Sequence, residues 1–361
     1  LEHARNSLNR NAEILLLNGF AQPDEELLKN FPSAFIVVYG VIDSSYANTP
    51  LAYHLTSGGS VWGGMTRWAV GYEVRGAIWY QGCNDAKFGN ARYDEQLKAM
   101  VADYRAKWGR SASEFAFYIV QIASVNDDAA ATQKPGDKSN TAWVRDCQRR
   151  VSEALSGSGL AVSFDVSDAT IHPRHKVEIG NRLARLARKG VYGENLVTEG
   201  PMFASATRES GKIRVHFRTD TLADGLEIGA SKWVDENYFV PTPTAPLKGF
   251  DIADANGKWV AASAEIAADG KSVLVWSSEI ADPRQVSYAN CEVPVANYQN
   301  QYLNATLYNS EGLPASPFGP QTAGVVFERT VTVSDGLLTT CLYRAKLVST
   351  SVAGVNELVC C

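Results

Sequence analysis

Long apolar runs, cysteine pairs and basic blocks are all scarce in this chain. The longest apolar stretch, Phe35 to Ile42, covers eight residues and contains Gly40. A membrane-spanning helix needs roughly 20, so no such span is expected. The net charge is −5 with no block of Lys or Arg, which argues against a nucleic-acid backbone as partner. Six cysteines are present (Cys83, Cys147, Cys291, Cys341, Cys360, Cys361). They lack CxxC spacing and are too sparse for a disulfide scaffold, so they leave the redox compartment open. With 29 Gly and 14 Pro in 361 residues, collagen-like and low-complexity classes are excluded. The opening Leu1–Arg10 shows no signal-peptide pattern, which assigns no compartment. No internal repeat is visible. What remains is ordinary globular composition, 45% hydrophobic and 20% charged, in a chain long enough for two or three domains at about 150 residues each.

The first half alternates strands with helices. Phe35–Ile42 is a continuous β-branched run, as expected of a strand buried on both faces of a parallel sheet. Gly76–Tyr80, Phe115–Ile122 and Gly159–Phe164 repeat the pattern. Between them, Tyr93–Trp108 aligns Leu97, Met100, Val101 and Tyr104 at helical spacing, and Trp143–Leu155 aligns Trp143, Cys147, Val151 and Leu155. A helix over Lys176–Tyr192 closes the unit. This order predicts an α/β fold with a parallel sheet covered on both sides.

Near Asn195 the period changes to two. Lys212–Arg218 alternates strictly, and Asn256-Gly257 and Asp269-Gly270 are hairpin signals between alternating runs. Lys271–Trp276 and Arg284–Tyr288 add strands, so an antiparallel sandwich or partial barrel is expected. The proline-rich stretch Glu236–Pro246 reads as an inserted loop. The expected organisation is an α/β domain over 1–196, a β domain over 197–318 and a poorly ordered tail over 319–361.

Three polar segments follow strands: Asp43–Pro50, Trp79–Asp85 and Asp165–Pro173. Open α/β sheets place their sites at the carboxyl ends of strands, so the three are expected to converge. Any one of them could equally be a simple strand cap. Together, Gly40–Pro50, Gly76-Ala-Ile-Trp-Tyr-Gln-Gly82, Phe117–Ile122, Ile171-His-Pro-Arg-His-Lys176 and Leu307–Phe318 resemble the sialate O-acetylesterase family, within the SGNH-type esterases. The resemblance runs from about residue 36 to 318. It implies a three-layer α/β/α sheet domain with an appended antiparallel β domain. The implied chemistry is removal of acetyl groups from sugar hydroxyls, with an O-acetylated sugar or glycan as partner. No cofactor is implied, and the implied compartment is secreted, periplasmic or lysosomal.

Such chemistry needs a serine nucleophile, a base and donors for an oxyanion. By resemblance His172 is the base, and His175 holds a less constrained position. The wider group often carries Asp three residues before the His, where this chain has Ala169. Asp168 could reach the same ring nitrogen if the loop bulges, or could simply cap a turn; a backbone carbonyl is the other way to orient the ring. Ala47 falls where the family has an oxyanion glycine. After Gly82, an ungapped reading puts Asp85 at the donor position of an Asn, and a one-residue shift puts Asn84 there. Ionised Asp only accepts hydrogen bonds. Gln81, Gln121 and Arg174 fall on the substrate side.

The family's Gly-Gln-Ser-Asn nucleophile segment does not occur in this sequence. The expectation is therefore a chain that starts after that segment or has diverged from it, with acetyl-ester hydrolysis near background. Ser44 and Ser45 are the remaining substitutes. The alternative is a relative that binds glycans without cleaving them. Cys83 lies in the second segment, but no basic neighbour in sequence lowers its pKa. The His172–His175 pair spans Pro173 and lacks a third ligand, so no metal site is expected. The sheet is also expected to lack its first strand, with Ile14–Leu17 the only run to fill it, and an exposed edge would invite another chain.

Overall fold

The computed structural model describes residues 66–123, 133–167, 173, 176–232, 237–292, 305–332, 338–349 and 356–360. The expected strand at 35–42, and every expectation placed on 1–65, lie outside these residues. The described α/β unit runs β1 (Gly76–Trp79), α1 (Cys83–Phe88), α2 (Tyr93–Trp108), β2 (Ala116–Val120), α3 (Asn140–Ala154), β3 (Ser158–Ala161) and α4 (Lys176–Gly190). The three strands are parallel in the order β1-β2-β3, with Trp79 paired to Ile119 and Val120 to Ala161. All five residues of β2 are buried, which explains its unbroken apolar run.

Alternate residues of β2 enter different clusters. Phe117 and Ile119 pack with Leu97 and Val101 of α2 and with Val144 and Val151 of α3. Ala116, Tyr118 and Val120 pack with Ile179 and Leu186 of α4. The period of two in the strand thus meets helical stripes from separate helices. Helix α3 starts earlier than its apolar stripe suggests, because Ser139 Oγ accepts from the Ala142 N–H at 2.9 Å and caps it. The stripe also rotates: Cys147 and Val151 are fully buried, but Trp143 is 40% exposed and donates from Nε1 to the Asn90 carbonyl.

The second half continues with β4 (Phe203–Glu209), β5 (Lys212–Phe217), β6 (Leu226–Lys232), β7 (Asn237–Pro241), β8 (Phe250–Ala253), β9 (Trp259–Ala261), β10 (Ser263–Ile266), β11 (Ser272–Trp276), β12 (Gln285–Tyr288), β13 (Leu307–Asn309) and β14 (Phe318–Thr322). Both dipeptide turns join antiparallel neighbours, β8 to β9 and β10 to β11. At the second, Asp269 Oδ1 accepts from the Lys271 and Ser272 N–H groups. On β5, Ile213, Val215 and Phe217 are buried, as their alternation requires.

One expectation is corrected. The proline-rich stretch is not all loop, because 237–241 pairs with β6 as a strand. Its proline, Pro241, is the last residue of β7, where a missing N–H costs the ladder little. Further strands follow residue 318. β14 pairs with β12, β15 (Gly324–Thr332) begins parallel to β4, and β16 (Leu338–Ser349) and β17 (Asn356–Cys360) extend the same sheet. β14 and β15 reach back to β12 and β4, while β16 and β17 each pair with the strand before them.

Candidate active site

The carboxyl ends of β1 and β2 lie side by side, and the residues just beyond them carry the described part of the site. The chain leaves β1 through Tyr80, Gln81 and Gly82 and turns at once into α1. Gly82 adopts φ 144°, and a Cβ there would sit 2.9 Å from Val144 Cγ1 and 3.0 Å from Ile122 Cγ2. Only glycine allows this approach of α1 to β2 and α3. The segment expected as a loop is therefore partly helical, with Cys83–Asp85 forming the first turn of a short helix.

Asp85 is buried in α1 and is an acceptor twice over. Its Oδ2 takes a hydrogen bond from Gln81 Nε2 and its Oδ1 one from Asn90 Nδ2 at 2.6 Å. The main-chain oxygen of Gln81 accepts from Tyr93 OH and from Gln148 Nε2, both at 2.9 Å. Asn84, one residue before Asp85, is exposed. The Cys83 thiol is half-buried, and burial pushes its pKa up while nearby Arg145 pulls the other way. A thiol held in its neutral form is a poor nucleophile.

Gln121 follows β2 and is fully buried. Its Nε2 donates to the Arg145 carbonyl at 3.0 Å and to Ser316 Oγ at 3.1 Å, while its Oε1 has no partner. Arg145 is also wholly enclosed. Its guanidinium donates to the carbonyls of Ile122 and Ala123 at the end of β2, and of Cys291 and Glu292 beyond β12. Burial lowers its pKa, and four carbonyl dipoles answer its charge.

The third segment starts from a rigid base. Asp165 is fully buried and forms a two-pronged pair with Arg182 of α4, at 2.6 and 2.7 Å. Arg182 also reaches the Val162 carbonyl and Glu178. Burial works against its charge, but Asp165 and Glu178 outweigh it and raise the pKa. Ser163 Oγ donates to the Gln121 carbonyl at 2.6 Å, joining the ends of β3 and β2.

Of the residues proposed from sequence, Gln81, Asn84, Asp85 and Gln121 are therefore placed, the first three within five residues and Gln121 at the end of the adjacent strand. Ala47, Asp168, His172 and Arg174, with Ser44, Ser45 and His175, lie outside the described residues. Sequence reasoning passed over Arg145, Gln148, Tyr93 and the Asp165–Arg182 pair. The available signal was polar residues at Arg145 and Gln148, flanking the core positions Val144 and Cys147.

Comparisons with known proteins bear on the family. The family described as carbohydrate esterase, sialic acid-specific acetylesterase, matches residues 34–189. The chain belongs to the sialate O-acetylesterase family. It is 24% identical over 272 residues to a sialate O-acetylesterase of Pongo abelii, covering 72% of this chain and 48% of that one. It is 26% identical over 155 residues to the Homo sapiens enzyme of that name, covering 39% and 29%. A crystal structure of a carbohydrate acetylesterase from Xanthomonas citri superposes with a TM-score of 0.57 at 32% identity, covering 69% of this chain and 51% of that one. The chain spans about half the length or less of the curated relatives it matches. Among the described residues, no helix is long and apolar enough to cross a membrane, and no three His, Cys, Asp or Glu gather as metal ligands.

Proposed function

We propose that this chain binds an O-acetylated sugar at the carboxyl edge of its parallel sheet and belongs to an esterase that removes the acetyl group. The observation that carries the reading is the family match over 34–189 combined with Gln81 and Gln121 at the ends of adjacent parallel strands. In this reading the sheet domain is a three-layer α/β/α unit, supported by the two clusters on alternate residues of β2. His172 takes the proton of a serine as its oxygen attacks the acetyl carbonyl. The tetrahedral oxyanion is held by N–H donors, and His172 then protonates the departing sugar oxygen. Water hydrolyses the acetyl-enzyme with His172 again as base. In this reading Arg174, two residues after this histidine in sequence, binds the sugar, and Asp168 orients the imidazole.

A second reading, binding without cleavage, is favoured by one observation. Asp85 accepts from both Gln81 and Asn90 at the position where the family supplies a donor. Loss of one oxyanion donor costs roughly 3–4 kcal/mol of transition-state stabilisation.

One experiment separates the readings. The purified chain is titrated with 9-O-acetyl-N-acetylneuraminic acid and assayed for acetate release, with His172→Ala alongside and a fluorophosphonate probe read by mass spectrometry. Turnover lost in His172→Ala supports the esterase, with Ser44 and Ser45 the first serines to replace if they carry the label. Binding without turnover supports the second reading. Neither binding nor turnover by the folded chain overturns both.

A further inference from the structure

A carboxylate accepts hydrogen bonds and gives none. The end of Gln81 that faces Asp85 is therefore its amide nitrogen, and its carboxamide oxygen is turned away from Asp85. Asp85 itself cannot swing free, because Asn90 fills its other oxygen and reaches on to Gln96 Oε1 at 2.7 Å. The main chain of Gln81 is fixed independently by Tyr93 and Gln148. The side chain is only half-buried, so its oxygen can meet a ligand.

The neighbouring strand repeats the arrangement. Gln148 bridges the two strand ends, accepting at Oε1 from the Ile122 N–H and donating from Nε2 to the Gln81 carbonyl, and Gln121 directly precedes Ile122. There the Arg145 carbonyl, which also only accepts, fixes Nε2 of Gln121, and Oε1 is left buried without a donor. Two adjacent strand ends thus each hold a glutamine whose nitrogen is spent on the protein and whose oxygen is not.

We infer that Asp85 is a positioning residue that makes Gln81 a hydrogen-bond acceptor, so that this edge of the site selects a ligand hydroxyl. The inference rests on the sugar-binding reading and deepens it: the edge recognises the free hydroxyls beside the acetyl group, and the ester carbonyl is recognised elsewhere. Asp85→Asn keeps the shape but cannot accept at both positions. Either Gln81 or Asn90 must then turn, and Gln81 can present N–H instead.

The test is calorimetric titration of the chain with 9-O-acetyl-N-acetylneuraminic acid and with analogues carrying fluorine or hydrogen in place of single hydroxyls. In the native chain one replacement should weaken binding about fivefold or more, the size of one lost neutral hydrogen bond. In Asp85→Asn the same replacement should change affinity less than about twofold, with the melting temperature little altered. A structural role alone would lower stability and leave the preference among analogues intact. If Asp85→Asn does not fold, Gln81→Met removes the acceptor at similar length and should erase the same preference. Equal binding of every analogue to the native chain overturns the inference and leaves sugar binding standing. Failure of the folded chain to bind the parent sugar overturns the underlying reading as well.

Discussion

Asp251 on β8 shows what one side chain can do to the stability of the whole sheet. It is 3% exposed, its Oδ1 has no partner, and burial pushes its carboxyl pKa up to about 7. In the unfolded chain the value is near 3.9. The folded state therefore favours the protonated form: the stabilisation is fully present below about pH 4 and is lost as pH rises through about 7. Three pKa units correspond to about 4 kcal/mol as an upper bound. Asp251→Asn should flatten the pH dependence in that window and raise stability at pH 8, read from urea denaturation at pH 5 and pH 8. An unchanged difference between the two pH values would contradict this. In the buried Asp165–Arg182 pair each charge answers the other. Asp165→Ala strands a buried guanidinium and should cost roughly 3–5 kcal/mol. Adding Arg182→Met should recover part of that loss in the same denaturation assay, whereas full additivity would argue that the pair is not coupled.

Helix α3 is the element that ties the strand ends to the β region, and its sequence only half announces this. Its apolar positions, Val144, Cys147 and Val151, were readable as a core stripe. The buried roles of Arg145, Gln148 and Arg149 were not, because polar residues on a helix ordinarily face water. Their partners are remote: Arg145 reaches Cys291 and Glu292, and Asp146 Oδ1 accepts from the Gly319 N–H at 3.1 Å. Strands β1, β2 and β3, the stripe of α2 and both dipeptide hairpins depend on local pattern and were legible. The strand at 237–241 pairs with its neighbour β6, but its proline-rich context masked the alternation, whereas β14 and β15 reach back to β12 and β4, partners no local pattern reveals. Gln81 and Asp85 were readable as candidate site residues by family resemblance, but not that they bond to each other, which follows from the turn by which the chain enters α1. For Arg145 the test is direct. Arg145→Lys retains charge but cannot reach four carbonyls with a planar fork. It should lose about 3 kcal/mol or more, because buried carbonyls are left unsatisfied, as measured by chemical denaturation. A loss below about 1 kcal/mol, the scale of a surface change, would mean water replaces the guanidinium.

At the scale of the molecule, the α/β unit and the β region share one core. Phe117, Val144 and Phe164 belong to the same buried cluster as Met202, Tyr288 and Phe318. Phe318 packs at a tilt against Phe203 with ring centres 4.6 Å apart, and Tyr288 against Phe250 at 4.7 Å. Polar bridges reinforce the seam: Gln121 to Ser316, Arg185 to Glu311, and the Leu160 N–H to Glu199. Each half would expose apolar surface without the other, so loss of either should unfold both. Unfolding followed by tryptophan fluorescence, with Trp79 and Trp108 in the first half and Trp259 and Trp276 in the second, should coincide with unfolding followed by circular dichroism. Phe318→Ala then discriminates. Truncating a fully buried Phe costs about 3–5 kcal/mol, and in a shared core that loss displaces the whole transition as one. If the variant instead splits the curve, with the helical signal holding at its original midpoint, the two regions fold independently and the seam is only a docking surface.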